Sequence, residues 1–397
     1  MRRGLTSIVL LALAWLALPG AGLADAPSVD CVPPSAWIVP ATRERTSHAE
    51  LIGRLAGARI VLLGESHDDA SHHRLQLHVI AALHARAKAV VLGFEMFPRR
   101  VQPVLDRWVA GEFDEPAFLA ETDWREVWGA DPALYMPLFH FARMHRVPMR
   151  ALNVDRSLIR RVRDEGWLNI PADAREGVSD PVPASDAYEE GWVELYRQHL
   201  VQQESNDGSE ATIDRTDPGF RRFVEAQLTW DRAMAEALAA MASAPGAPLV
   251  IGVIGSGHLR DGYGVPHQLA DLGLDAAVLL PWDYGRDCGE LTPRFADAVF
   301  GLDAPGTVAS PPPPRLGVLI GGSEAGVAVI DVVDGSVAEA AGIRAGDVIV
   351  EAAGVAVREP GDLIAVVDRQ APGTWLPLRV ARDGAPLEII AKFPASR

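Results

Sequence analysis

The sequence predicts an α/β protein: a mostly parallel sheet flanked by helices and carrying a helical insertion, followed by a small β-rich unit. Three observations predict this. Short apolar runs alternate with longer amphipathic stretches along the first 300 residues. Those runs are nearly continuous in Val, Ile, Leu and Ala, as strands covered on both faces should be. A stretch ending in four consecutive prolines, DAPGTVASPPPP, then divides the chain and favours an extended spacer. At 397 residues, with 48% hydrophobic residues, the chain can build two cores. The boundaries read as 1–24 signal peptide, 30–300 α/β unit, 301–314 Pro-rich linker and 315–397 β-rich unit.

The N-terminus has Arg2 and Arg3 before the apolar run SIVLLALAWLAL, then Gly22-Leu23-Ala24 with small residues at a cleavage site. This predicts an exported protein, periplasmic or membrane-associated; an uncleaved anchor is the alternative. Cys31 follows Ser-Val-Asp, which lacks the small residues of a lipid-attachment motif. Cys31 and Cys288 are the only cysteines, so export leaves two readings, one disulfide or two thiols. The formal charge of −16 argues against nonspecific binding to nucleic acid.

Strands are expected at 58–64, 89–97, 147–154, 248–255 and 275–282. Between them, 71–87 places Leu75, Val79, Ile80 and Leu83 at helical spacing, and 220–242 places Phe223, Ala226, Gln227 and Trp230 on one face. The stretch 133–145 reads as a helix that Pro137 should kink or end. Residues 155–220 exceed a simple crossover and read as a helical insertion, a candidate lid. Strand–helix alternation makes the sheet mostly parallel.

Ligands of open parallel sheets bind beyond the carboxyl ends of the strands. Polar residues recur there: Glu65, Ser66 and His67 after the first strand, Glu95 in the second, Asn153 and Asp155 after the third, His258 after the fourth and Asp283 after the fifth. His67, Glu95 and His258 could converge on a divalent metal, with Glu65 as a base on a bound water or a further ligand. Each histidine alone reads more simply as a helix cap or a backbone partner. His72 and His73 open the first helix beside the same mouth and stay undecided. No H-E-x-x-H, C-x-x-C-H or G-x-S-x-G motif is present, and Gly255-Ser256-Gly257 has Arg260 where a dinucleotide fingerprint needs its third glycine.

GESH at 64–67, GFEMF at 93–97, AQLTWDRAMA at 226–235 and GSGHLRDGYGVPHQL at 255–269, in that order, resemble the ChaN-like haem-binding-uptake branch of the Tiki/TraB/erythromycin-esterase superfamily. The resemblance implies an exported protein of haem or iron acquisition that can pair around haem as a homodimer. It implies functional roles for Gly64, His67, Glu95, Gly257 and His258, and a tyrosine ligand to haem iron. Tyr263 is the first candidate for that ligand and Tyr135 the second. Some superfamily members are metal-dependent hydrolases, so a peptidase or esterase using Glu65, His67, Glu95 and His258 is the alternative. An adaptor without chemistry would not need these four together.

RLGV at 315–318 and DGSVAEAAGIRAGDVIVEAAGVAV at 334–357 resemble a PDZ domain of the bacterial protease-associated type. The resemblance implies that backbone N–H groups of Leu316, Gly317 and Val318 hold the carboxylate of a partner's C-terminal peptide, beside a strand edge open to β-augmentation.

Overall fold

A computed structural model describes residues 30–203, 214–244, 246–304, 314–323 and 325–395. The signal-peptide reading and most of the Pro-rich linker lie outside them. The chain divides into two compact units, 1–305 and 306–397.

The first unit holds an eight-stranded sheet. Its strands are β1 (Trp37–Val39), β2 (Glu44–Thr46), β3 (Ile60–Glu65), β4 (Val90–Pro98), β5 (Met149–Asn153), β6 (Leu249–Gly255), β7 (Ala277–Trp282) and β8 (Ala298–Gly301). Their order across the sheet is β2-β1-β8-β7-β3-β6-β4-β5. The six from β8 to β5 run parallel, and β1 is antiparallel to both β8 and β2. The five runs expected from sequence are β3 to β7. The other three strands are only three or four residues long, too short to stand out as apolar runs.

The helices are α1 (His48–Leu55), α2 (Ala70–His84), α3 (Gln102–Ala110), α4 (Glu115–Glu121), α5 (Trp124–Val127), α6 (Pro132–His145), α7 (Arg156–Glu165), α8 (Asp186–Gln203), α9 (Pro218–Ala242) and α10 (Val265–Asp271). Period-two alternation in the strands separates two cores. Val61, Leu63, Leu92 and Phe94 pack with Leu51, Val79, Leu83, Trp108 and Phe139 of α1, α2, α3 and α6. Ile60, Leu62, Val91 and Ile254 pack with Met234, Leu238 and Leu269 of α9 and α10 on the opposite face. Such two-faced burial is why these strands read as continuous apolar runs.

Helix α6 runs through Pro137 rather than ending there. Interior proline costs about 3 kcal/mol. Burial of Tyr135, Leu138, Phe139 and Ala142 on the same helix offsets it. The insertion contains α7 and α8, and its Tyr188 and Trp192 pack on Phe220, Phe223, Val224 and Leu228 of α9. It is therefore anchored on α9 through an aromatic cluster. A disulfide joins Cys31 to Cys288, with Cα atoms 5.8 Å apart, tying the start of the described chain to the segment after β7.

The second unit has strands β9 (Val318–Ser323), β10 (Gly326–Val332), β11 (Val348–Ala352), β12 (Val355–Ala356), β13 (Trp375–Arg382) and β14 (Ala385–Lys392), with helices α11 (Val337–Ala341) and α12 (Pro360–Asp368). The sheet is antiparallel, ordered β14-β13-β11-β10-β9, with β12 on β11. Val327, Val329, Ile349, Leu376, Leu378 and Leu363 form its core. Asp347 sits in that core, 1% exposed, and takes two hydrogen bonds from the Arg382 guanidinium at 2.7 and 2.8 Å.

Candidate ligand site at the strand ends

Three adjacent strands, β3, β6 and β4, end side by side and bring the predicted polar residues together. Glu65 lies beside Gly255 in the parallel register, and Phe94 beside Val253. The β4–β5 register slips between Phe94 and Pro98. Such an irregularity re-aims side chains, and Glu95 sits within it. Gly64 is required by space: a Cβ there would run into Leu280 and come within 2.7 Å of Ser256 Oγ.

Glu65 is fully buried and takes several donors. His67 Nδ1 lies 2.7 Å from Glu65 Oε1 and His73 Nε2 lies 3.1 Å from Oε2. The Tyr135 hydroxyl donates to the same carboxylate at 3.3 Å. Burial, then the Glu65 charge, pushes the Tyr135 hydroxyl far above its usual range, so it stays a donor. The Glu65 bond leaves His67 Nε2 without a hydrogen-bond partner among the described residues. Burial pulls the His67 pKa down, but the Glu65 hydrogen bond and the Glu95 and Glu65 charges outweigh it and leave it raised.

Glu95 accepts the Gly255 N–H at 2.6 Å, and His258 Nε2 lies 3.7 Å from its other oxygen. The second ring nitrogen of His258 donates to Asp231 at 2.6 Å. Tyr188 donates to the remaining Asp231 oxygen at 3.1 Å. Burial lowers the His258 pKa, but the Asp231 charge and hydrogen bond, with Glu95, raise it to about 9. His258 is thus a cation at neutral pH, set between two carboxylates.

His67, Glu95 and His258 line one cavity of about 760 Å³, walled by Met96, Val127, Trp128, Ile159 and Trp230. The volume suits a small-molecule or cofactor site. The His67 ring meets Trp128 edge-on, centroids 4.7 Å apart.

The family described as haem-binding uptake, Tiki superfamily, ChaN matches residues 51–269, and the PDZ-domain family matches 314–392. The chain belongs to the ChaN haem-binding family. The ChaN structure of Campylobacter jejuni, which shows cofacial haem binding, is 18% identical to this chain. It aligns over 66% of this chain and 95% of its own length with a TM-score of 0.50, a likeness of fold. The HtrA3 PDZ domain with a phage-derived ligand is 22% identical and aligns over 20% of this chain and 83% of its own length, with a TM-score of 0.19. No curated protein matches the sequence.

Haem, which the family implies, fits the residues of this ChaN domain. The cavity supplies aromatic and aliphatic walls and a histidine whose Nε2 is open while a carboxylate orients the other nitrogen. A divalent metal on the predicted trio fits less well. His258 Nδ1 donates to Asp231, and the Asp231 and Glu95 carboxylates hold the ring protonated, which leaves Nε2, 3.7 Å from Glu95, without a lone pair for a metal. Among the described residues, the group of His, Asp and Glu ligand atoms within 4.8 Å of one another is Asp69, His72 and Asp283 instead. That group also fits a metal poorly. His72 Nδ1 accepts the Ser66 N–H at 2.8 Å, so Nε2 carries the ring proton and donates to Asp283 at 2.8 Å. Asp69 caps α2, accepting the Ser71 N–H at 2.6 Å.

The remaining predicted residues fall elsewhere in the ChaN domain. His72 and His73 are buried, 2% and 4% exposed, and do not line the cavity with His67. Both point back into the unit because they sit on the inner face of the first turn of α2. His73 faces Glu65 and the Gln76 side-chain oxygen, and packs on Tyr135 at a tilt of 55° with centroids 4.3 Å apart. Tyr263 packs on Tyr188 and lines a separate cavity of about 570 Å³ with Trp192 and Arg260. Asp231 was not singled out by sequence reasoning. Its signal was present: it shares helical register with Val224, Leu228 and Ala235, so a carboxylate falls on an apolar face.

In the PDZ domain, Leu316 is buried and Gly317 has φ of +83°, a conformation glycine adopts freely. Their carbonyls accept from Ala338 and Val333. Their N–H groups have no partner among the described residues. Strand β9, starting at Val318, is bonded only to β10 among the described residues, and no described strand pairs with its other edge.

Proposed function

We propose that this protein is an exported haem- or iron-handling protein of iron acquisition, with its PDZ domain holding the C-terminal peptide of a partner. One observation carries the haem reading: the Glu65–His67 pair at the mouth of an aromatic-walled cavity, with His67 Nε2 free. Bound haem supplies a planar apolar body and an iron that takes axial ligands. His67 would hold that iron through Nε2. Glu65 fixes its tautomer and ring orientation, and Trp128 limits its rotation. Tyr263, against Tyr188 in a neighbouring cavity, is the competing axial candidate from the family resemblance; a second copy of the chain could bring the two together.

The test is a haemin titration of the purified mature protein, followed at the Soret band. A saturable change is expected in wild type and in Tyr263→Phe, weakened at least tenfold in His67→Ala. A flat wild-type titration sinks the haem reading, and loss in Tyr263→Phe alone moves the ligand to that residue. The hydrolase reading draws on the same Glu65–His67 pair facing Glu95, and requires zinc, manganese or iron in the purified protein by elemental analysis. For the PDZ domain, the free N–H groups of Leu316 and Gly317 and the open β9 edge support carboxylate capture. Peptides with a free C-terminus should bind and their C-terminal amides should not; equal binding of both would reject capture.

A further inference from the structure

The cavity has a row of arginines along one side. On α7, Leu158, Ile159 and Val162 are buried, while Arg156, Arg160 and Arg163 are exposed at spacing i, i+4, i+7 and line the cavity together with Arg100. Two of the four are engaged: Arg100 Nε donates to Asp155 at 2.7 Å, and Arg156 donates to the Trp128 carbonyl at 3.2 Å. Arg161 of the same helix, outside the cavity, pairs with Glu165 at 3.0 Å. Arg160 and Arg163 have no side-chain hydrogen bond or ion pair among the described residues. Other exposed arginines, such as Arg45 and Arg125, also have no side-chain hydrogen bond or ion pair among the described residues; what marks Arg160 and Arg163 is that both line the cavity. The carboxylates around this cavity do not answer them. Asp155 is held by Arg100, and Glu95 takes the Gly255 N–H and faces His258. Glu126 alone among the cavity carboxylates has no side-chain partner among the described residues.

A planar guanidinium matches a carboxylate with two parallel hydrogen bonds and is weakly hydrated for a cation. Apolar walls below and free guanidinium groups at the edge suit an apolar molecule bearing peripheral carboxylates. We infer that Arg160 and Arg163 form the carboxylate-binding rim of this cavity, so that the site selects a dianionic ligand over its neutral counterpart. The identity of the ligand rests on the haem reading; the basic rim does not.

The experiment compares haemin with haemin dimethyl ester, whose peripheral carboxylates are blocked, on the full mature chain. Wild type is expected to bind haemin at least tenfold tighter than the ester. In the Arg160→Gln/Arg163→Gln double variant the two affinities should fall within twofold, with the ester's own affinity unchanged. Both side chains are exposed, so the fold should tolerate the change. Arg161→Gln is the control and should keep the wild-type discrimination. Equal affinities in wild type, or discrimination surviving in the double variant, overturns the inference while leaving the haem reading intact. If neither porphyrin gives a saturable Soret change, the haem reading fails on its own, and inorganic pyrophosphate decides the rim. Saturable quenching of tryptophan fluorescence in wild type, lost in the double variant, supports the rim; no quenching rejects it.

Discussion

Asp231→Asn should remove most of the stability that His258 contributes below neutral pH. The substitution keeps the side-chain shape and an acceptor oxygen for His258 or Tyr188, but takes away the buried charge that His258 faces at 2.6 Å. The His258 pKa is raised from 6.5 to about 9. Each pKa unit corresponds to about 1.4 kcal/mol, so the raised value amounts to roughly 3 kcal/mol. The His258 side chain is 17% exposed, so solvent screening trims this only modestly. A folded pKa above the unfolded one gives stability that is complete below pH 6.5 and lost as pH rises through 9. Asparagine leaves burial opposed only by Glu95, and the His258 pKa should fall back to or below its ordinary value. Urea denaturation of both proteins at pH 6 and pH 10 reads the effect. The wild-type advantage should be about 2–3 kcal/mol larger at pH 6 than at pH 10, other titrating groups being common to both. Histidine NMR should show His258 titrating near pH 9 in wild type and at or below its ordinary value of 6.5 in the variant. Parallel stability curves, or a wild-type His258 titrating near 6.5, would refute the charge-pair reasoning.

Other perturbations follow from the same contacts. In Gly255→Ala, the new methyl would sit 2.9 Å from His67 Cε1 and 3.5 Å from both His67 Nε2 and Glu95 Oε2. Haemin affinity should drop at least tenfold in the Soret titration, with thermal stability changed by about 1–2 kcal/mol or less. Cys31→Ser opens a cross-link spanning 257 residues of sequence and should cost about 2–5 kcal/mol, read as a lower unfolding midpoint that reductant no longer shifts. Asp347→Ala strips Arg382 of its carboxylate, leaving it the Gly342 carbonyl, and removes the acceptor of the Arg344 N–H. It should destabilise the PDZ domain by about 3 kcal/mol, visible in its unfolding transition while haemin binding is unchanged.

Much of the site could be read in the linear chain because parallel strands publish it. A strand buried on both faces is an apolar run, and the residue ending the run is at the mouth of the sheet. Glu65, His67, Glu95 and His258 were legible on that rule, since β3, β6 and β4 are adjacent in the sheet. Their partners were less legible, because partnership depends on side-chain direction across elements. His72 and His73 sit two and three residues into α2, next to the mouth in sequence, yet helical geometry turns both inward onto Asp283 and Glu65. Tyr263 is five residues after His258, and the intervening turns place it against Tyr188 on the lining of a separate cavity.

The sequence by itself determined the two-unit organisation, the parallel sheet, the PDZ pattern and the four strand-end residues, because each follows from local periodicity and short motifs. Only the tertiary structure decided which histidine keeps a free nitrogen. Both rings give Nδ1 to a carboxylate, Glu65 for His67 and Asp231 for His258; the difference lies at Nε2, where Glu95 faces His258 at 3.7 Å and no described residue bonds His67. The arginine rim belongs to the same class. The i, i+4, i+7 spacing is visible in the chain, but that no acid among the described residues answers Arg160 and Arg163 is a fact of packing.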